Sequence, residues 1–188
     1  MSKVIVVTGT PASGKTTFVR AISKKFALPI VAKDEIKEIL FDSLGVVNRD
    51  FGRKLGGASF DLIYSISDQL MQSKVPHIIE GNFNPMFAND VLNEKFKTYN
   101  CKALQFNFFA DSSKISDRFQ ERWENRLNDG GRHEGHFDNE NYNMVKEIGG
   151  KMDALSIMGN LIEVDTTNFD SVNYDYLHRE IKAFLNKK

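Results

Sequence analysis

The feature that most constrains this chain is a glycine-rich segment near its N-terminus with the G-x-x-x-x-G-K-[ST] pattern of a phosphate-binding P-loop. Residues 4–7 before it form a β-branched run that predicts a buried parallel strand. Residues 17–27 after it carry apolar side chains at helical spacing. The motif therefore lies between a strand and a helix. The residues predicted to bind a nucleotide are Gly9, Thr10, Pro11, Ala12, Ser13, Gly14, Lys15, Thr16 and Thr17.

The chemistry of this loop follows from its main chain. Its N–H groups would form a concave nest, and the helix that follows adds its positive N-terminal end. Gly9 and Gly14 permit backbone conformations and close approaches that a Cβ atom would forbid. Lys15 would reach the β- and γ-phosphates, and the Thr16 hydroxyl would ligate Mg²⁺. The segment therefore predicts a nucleoside-triphosphate site.

Composition limits the class of protein and its partners. At 188 residues we expect a single domain, and equal counts of Lys+Arg and Asp+Glu (25 each) give no overall field that would attract nucleic acid or an anionic membrane. The single cysteine, Cys101, excludes an intramolecular disulfide and fits a reducing compartment. We also expect no signal peptide and no membrane span, and therefore a cytoplasmic protein.

Strand and helix patterns alternate along the whole chain. This predicts one α/β domain over residues 1–188, in which a parallel five-stranded sheet is covered by helices on both faces and a helical lid lies at about residues 112–138. Residues 46–57 are glycine-rich and are predicted to be irregular. Further strands are predicted at residues 28–32, 76–83, 102–110 and 161–164, and further helices at 34–44, 58–73, 87–96, 112–127, 140–148 and 172–185.

Acidic residues follow four of the predicted strands at the edge where ligands bind in an open α/β sheet. They are Asp34 and Glu35, Glu80, Asp111, and Asp165, which is followed by Thr166 and Thr167. Asp34 follows the second strand and is the leading candidate for a catalytic base, because phosphoryl transfer needs an oriented acceptor hydroxyl whose proton is accepted. The alternative is that Asp34 only caps the next helix. Glu35 is expected to be a solvated first-turn acid.

Glu80 ends the third predicted strand, a position where P-loop proteins often place an acid that holds Mg²⁺ through water. Thr16 and Glu80 are therefore the predicted metal residues. Two alternatives stay open for Glu80: it could bind substrate together with Asn82, or make a structural hydrogen bond to a neighbouring loop.

Three arginines, Arg118, Arg122 and Arg126, are spaced four residues apart and should share one helix face. We predict that this face closes on the phosphates as a lid, with Arg118 and Arg122 contacting the nucleotide and Arg122 and Arg126 acting catalytically. The alternative is a solvated face on which Glu121 and Glu124 pair with the arginines. The loop that follows adds Arg132, His133 and His136.

The order of these motifs resembles the small P-loop kinases grouped with zeta toxins, chloramphenicol phosphotransferase and the polynucleotide 5′-kinase domain. The matching segments are residues 9–17, 33–38 (KDEIKE), 78–83 (IIEGNF) and 118–136 (RFQERWENRLNDGGRHEGH). The resemblance implies a five-stranded parallel core and ATP as the phosphoryl donor. It also implies that Asp34 is the acceptor-activating acid and that Arg122 or Arg126 is the lid arginine.

The resemblance leaves the phosphoryl acceptor open, because members of the group act on sugars, antibiotics, nucleotide sugars and nucleic-acid ends. The chain lacks an identifiable basic substrate channel and the acceptor signatures of gluconate and shikimate kinases. We therefore predict a kinase with ATP and Mg²⁺ as cofactors and a neutral or moderately polar small molecule as acceptor. The alternatives are a polynucleotide 5′-hydroxyl kinase and a nucleotide-binding switch or ATPase that acts on a protein partner.

Overall fold

A five-stranded, fully parallel sheet forms the centre of the protein, in the order β2-β3-β1-β4-β5. The computed structural model describes residues 2–45, 48–128 and 150–187, without the side chains of residues 49, 123 and 125–128. The strands are β1 (Ser2–Gly9), β2 (Ile30–Ala32), β3 (His77–Glu80), β4 (Cys101–Phe109) and β5 (Gly159–Asp165). The predicted α/β fold with five parallel strands is confirmed.

Helices connect the strands, as a parallel sheet requires. A short 3₁₀ turn, Phe169–Ser171, follows β5. The helices in the described parts of the chain are α1 (Lys15–Phe26), α2 (Lys33–Leu44), α3 (Arg49–Gln72), α4 (Pro85–Thr98), α5 (Ser112–Asn128) and α6 (Tyr174–Asn186). None of these helices combines the length and the apolar character needed to cross a membrane.

Alternate residues of β1 face two separate cores, which explains why its sequence is apolar throughout. Ile5 and Val7 pack with side chains of α1 and α6 in one core. Val4 and Val6 pack with side chains of α3 and α4 in the other. The molecule is therefore a three-layer α/β/α structure, and β1 delivers the loop that follows it from the centre of the sheet.

Most element boundaries lie within two residues of the sequence prediction, but the starts of two helices need a correction. Helix α3 begins at Arg49, whereas residues 46–57 were predicted to be irregular and the helix to start near residue 58. The Asn48 side chain caps the helix by accepting from the Phe51 N–H at 2.9 Å, and the glycines that suggested a loop lie inside the helix. Helix α2 begins at Lys33 with Ala32 as N-cap and no side-chain cap, so the expectation that Asp34 caps it is wrong.

The predicted lid is described only in part. Helix α5 covers Ser112–Asn128, in agreement with the predicted helix at residues 112–127. The remaining lid residues, including Arg132, His133 and His136, and the predicted helix at 140–148 lie outside the described residues.

Candidate active site

The P-loop passes so close to β4 that only glycine fits at its first position. Gly9 has φ +127°, and a Cβ atom there would collide with the Phe108 carbonyl. The Thr10 N–H donates to that same carbonyl oxygen at 3.0 Å. A side chain at position 9 would therefore displace the loop from the sheet.

Internal hydrogen bonds hold the loop in one conformation. The Ser13 hydroxyl donates to the Thr10 carbonyl at 2.7 Å, and the Thr166 hydroxyl, beyond β5, donates to the Ser13 carbonyl at 3.0 Å. All three residues are fully buried. Because α1 begins at Lys15, its first N–H groups have no partner within the helix and are available to an anion.

Lys15 is buried against the main chain of the P-loop, to which it belongs. Its Nζ donates to the Thr10 carbonyl at 2.7 Å, and the residue is only 8% exposed. Burial lowers the pKa of Lys15 to about 8, an effect that the carboxylates of Glu80 and Asp34 oppose and the Arg122 and Lys33 cations reinforce. The ammonium group therefore lies in an environment that an anionic phosphate would stabilise.

The two predicted metal residues are in direct contact. The Thr16 hydroxyl donates to Glu80 Oε1 at 3.0 Å, and Glu80 is 6% exposed. Burial raises the pKa of Glu80, while the Lys15 cation and the Thr16 hydrogen bond lower it. Mg²⁺ prefers oxygen ligands of this kind, and a divalent cation would compensate a buried carboxylate. The residues present therefore fit the predicted metal.

Asp34 lies at the mouth of the same site. It is in the first turn of α2, and its carboxylate accepts from Lys33 Nζ at 2.8 Å. Its side chain is 68% exposed, and it is close enough to influence the pKa values of both Lys15 and Glu80. Asp34 is thus a carboxylate that a solvent-borne acceptor can reach, and it follows β2, which β3 separates from the P-loop strand β1.

The structure describes the side chains of Arg118 and Arg122 on α5 but not that of Arg126. Arg122 is exposed and acts electrostatically on Lys15, so this part of α5 faces the P-loop. The side chain of Arg126 lies outside the described residues. Glu124 accepts a hydrogen bond from Gln120 of the same helix at 2.9 Å. Gln120 was not part of the predicted pairing between the glutamates and the arginines.

Arg118 contacts the end of β5 and an aromatic ring. Its Nη2 donates to the carbonyl oxygens of Thr166 at 2.7 Å and Thr167 at 3.2 Å, and its guanidinium lies 4.0 Å from the centre of the Phe169 ring. Its Nη1 is buried and has no hydrogen-bond partner among the described residues. The same Phe169 ring covers Gly14, where an added Cβ would lie 2.8 Å from it.

Sequence reasoning missed Phe169 and the part that Thr166 plays in supporting the loop. Phe169 follows β5 by a few residues and has no motif around it, so no local signal could have placed it on Gly14. Thr166 had been noted only as a strand-end residue. A hydroxyl that directly follows a buried strand is the one available signal, because such a group can reach the neighbouring P-loop.

Other strand-end residues have local structural roles. The Asn84 side chain caps α4 by accepting from the Met86 N–H at 2.9 Å. Asp165 accepts both the N–H and the hydroxyl of Thr167, and these hydrogen bonds lower its pKa. Glu35 pairs with Arg20 at 3.2 Å, with both side chains well exposed, as expected for a solvated first-turn acid.

Comparison with known proteins supports the fold. The chain is similar to the crystal structure of a "putative kinase" from Chloroflexus aurantiacus J-10-fl, with 25% identity and a TM-score of 0.86 over 98% of this chain and 96% of that one. It is also similar to the PezAT toxin–antitoxin structure from Streptococcus pneumoniae, with 14% identity and a TM-score of 0.60 over 95% of this chain and 76% of that one.

A third similar structure is a sugar kinase from Janibacter sp. HTCC2649, with 16% identity and a TM-score of 0.52 over 87% of this chain and 85% of that one. No protein-family model and no curated protein matches the chain. The similarity to these solved structures shows that the chain has the three-layer fold of P-loop kinases.

Proposed function

We propose that this protein is an ATP-dependent kinase that transfers the γ-phosphoryl group to a hydroxyl of a small-molecule acceptor. The observation that carries the proposal is the grouping of Lys15, Thr16 and Glu80 at the P-loop, with Asp34 within electrostatic reach. The kinase naming of the Chloroflexus structure, similar along nearly the whole chain, agrees with it.

On the donor side, the loop N–H groups and Lys15 bind the phosphates of ATP. Thr16 and Glu80 would hold Mg²⁺, which neutralises charge on the β- and γ-phosphate oxygens when it is bound. The hydrogen bonds of Ser13 and Thr166 keep the loop in its binding conformation. The protein therefore supplies position and electrostatic stabilisation in this half of the site.

On the acceptor side, Asp34 orients the acceptor hydroxyl and accepts its proton. The acceptor oxygen forms a bond to the γ-phosphorus as the bond between that phosphorus and the β–γ bridging oxygen breaks, and ADP leaves with the bonding electrons. Arg122 and Arg126 neutralise the charge on the transferred group, and Arg118 contributes to nucleotide binding. The exposure of Asp34 supports this role, because an acceptor can approach it from solvent.

The proposal is tested by incubating a cellular metabolite extract with γ-labelled ATP, Mg²⁺ and the protein. Wild type should transfer label to at least one small molecule, and Lys15→Ala should not. Label found only on added DNA or RNA ends, with binding that weakens steeply as salt rises, would instead favour a polynucleotide kinase. Stoichiometric nucleotide binding with no labelled product would favour a nucleotide-binding switch that acts on a protein partner.

A further inference from the structure

Lys33 makes a direct contact in the candidate site that the sequence did not indicate. It is the first residue of α2, directly after β2, and its Nζ donates to Asp34 Oδ1 at 2.8 Å. Residues next to each other in a helix do not face each other, so the long lysine side chain has to reach across to make this contact. The Lys33 side chain is 13% exposed and that of Asp34 is 68% exposed. Lys33 is therefore the largely buried partner of an exposed carboxylate.

The base of the Lys33 side chain is packed against a fixed part of the sheet. A Cβ added at Gly81 would lie 3.2 Å from Lys33 Cβ and 3.3 Å from the Phe60 ring, so this glycine leaves room for both side chains. The Gly81 N–H donates to the Val7 carbonyl at 3.1 Å, which ties its backbone to β1. Because Gly81 directly follows Glu80, the Lys33 side chain starts from an anchored position beside a predicted metal residue.

The Asp34 carboxylate lies among charges of both signs. It acts electrostatically on Lys15, Lys37 and Glu80, and the Lys33 cation acts on Lys15 and Lys37 in the opposite direction. An exposed aspartate can rotate among staggered positions, and the Lys15 ammonium attracts it towards the place that the phosphates would take. The hydrogen bond from Lys33 opposes that movement.

From these contacts we infer that Lys33 is a positioning residue, whose ammonium group holds the Asp34 carboxylate in one place and apart from Lys15 so that it meets the acceptor hydroxyl. The inference rests on the proposed function, since Asp34 accepts the proton in that reaction. The transition state of phosphoryl transfer is largely dissociative, so the position of the carboxylate matters more than its basicity. An ion pair that fixes the carboxylate suits this requirement.

The test compares variants in single-turnover reactions with Mg–ATP and the acceptor found in the metabolite screen. Lys33→Met keeps an unbranched side chain beside Gly81 but loses the cation. It should lower the rate of transfer about tenfold, because the carboxylate is less often in place. The dissociation constant of Mg–ATP should stay within about twofold of the wild-type value. Lys33→Arg should recover most of the lost rate, because a guanidinium also donates to a carboxylate.

A double mutant shows whether Lys33 acts through Asp34. In the Asp34→Asn background, Lys33→Met should cause no further loss of rate. Lys37→Met is the matched control, because it removes another cation of α2 that Asp34 influences, one whose Nζ lies 5.1 Å from the centre of the Phe41 ring. It should leave the rate within about twofold. A further tenfold loss in the double mutant, or an unchanged rate in Lys33→Met, would overturn the inference.

Crystal structures of the wild type and Lys33→Met, both with Mg²⁺ and a non-hydrolysable ATP analogue, test the contact without turnover. The Asp34 carboxylate should have one position in the wild type, and it should move or divide between positions in the variant while the backbone of α2 stays in place. If no acceptor is phosphorylated but this difference is seen, the kinase proposal fails and the positioning of Asp34 by Lys33 stands. If the wild type transfers phosphate and the carboxylate keeps its position in the variant, the inference fails alone.

Discussion

The P-loop and the contact between α2 and α3 are built in opposite ways. The P-loop is buried, and its conformation is fixed by the hydrogen bonds that Ser13 donates to Thr10 and Thr166 donates to Ser13. Between α2 and α3, Gly52 and Gly56 lie against Phe41 and Lys37, and the cations Lys33 and Lys37 are partly exposed. The comparison teaches that buried hydrogen bonds fix the conformation of the P-loop, whereas side-chain packing against glycines holds the two helices together.

The largest expected effect comes from removing the P-loop cation. Lys15→Ala should lower kcat/KM by at least about a thousandfold, because the charge that stabilises the transferring phosphoryl group is lost. Initial rates with the acceptor found in the metabolite screen measure this. A loss of less than tenfold would mean that the donor site does not depend on its buried ammonium group.

The next effect tests the acceptor side. Asp34→Asn should lower kcat by about a hundredfold or more, because the amide cannot accept the hydroxyl proton, while the affinity for Mg–ATP stays unchanged. Single-turnover rates and nucleotide titrations separate the two quantities. An equal drop in nucleotide affinity would assign Asp34 to the donor site and break the division between the two regions.

Two glycine substitutions should change the free energy of unfolding in opposite directions. Gly14→Ala should destabilise the fold by about 1–3 kcal/mol, because φ is +88° and the new Cβ would lie 2.8 Å from the Phe169 ring. Gly57→Ala, inside α3 with open space around it, should stabilise the fold by about 0.5–1 kcal/mol. Urea denaturation of both variants checks this, and the same sign in both would contradict the comparison.

The smallest effect is a pH dependence of donor binding. Folding lowers the Lys15 pKa to about 8. The fraction of Lys15 in the charged, phosphate-binding form therefore decreases as pH rises through that value. Affinity for Mg–ATP should fall about twofold between pH 7 and pH 8. Binding should also take up protons at pH 8, which calorimetry in two buffers of different ionisation enthalpy detects.

Lys37→Met provides the control for this pH effect, since the pKa of Lys37 is also lowered to about 8. The variant should keep the same pH dependence of nucleotide binding, because Lys37 is not among the charges that act on Lys15. If the pH dependence disappeared in Lys37→Met, the titrating group would be Lys37 and not Lys15.

The sheet and the P-loop could be predicted because their signals are local. The apolar run of β1 and the glycine and lysine spacing after it determine both a buried strand and its phosphate-binding exit. The start of α3 could not be predicted in the same way. Gly52 and Gly56 disfavour a helix on their own, but in the fold they let α3 approach Phe41 and Lys37 of α2 closely.

The parts of the candidate site that escaped prediction all depend on long-range contacts. Phe169 lies on Gly14, and the Thr166 hydroxyl reaches Ser13 across 153 positions of sequence. The position of Lys37 against Phe41 and Gly56 depends on which face of α2 meets α3. Such relations arise only when the sheet order is known, and a single sequence does not contain that order in any local pattern.

The most direct test of the central claim is a calorimetric titration of the wild-type protein with Mg–ATP at pH 7.5, beside Lys15→Ala. We predict one nucleotide bound per chain in the wild type and no measurable binding in the variant, whose fold should remain intact by circular dichroism. Absence of heat with the wild type, or equal affinity in both proteins, would contradict the assignment of residues 9–17 as the triphosphate site.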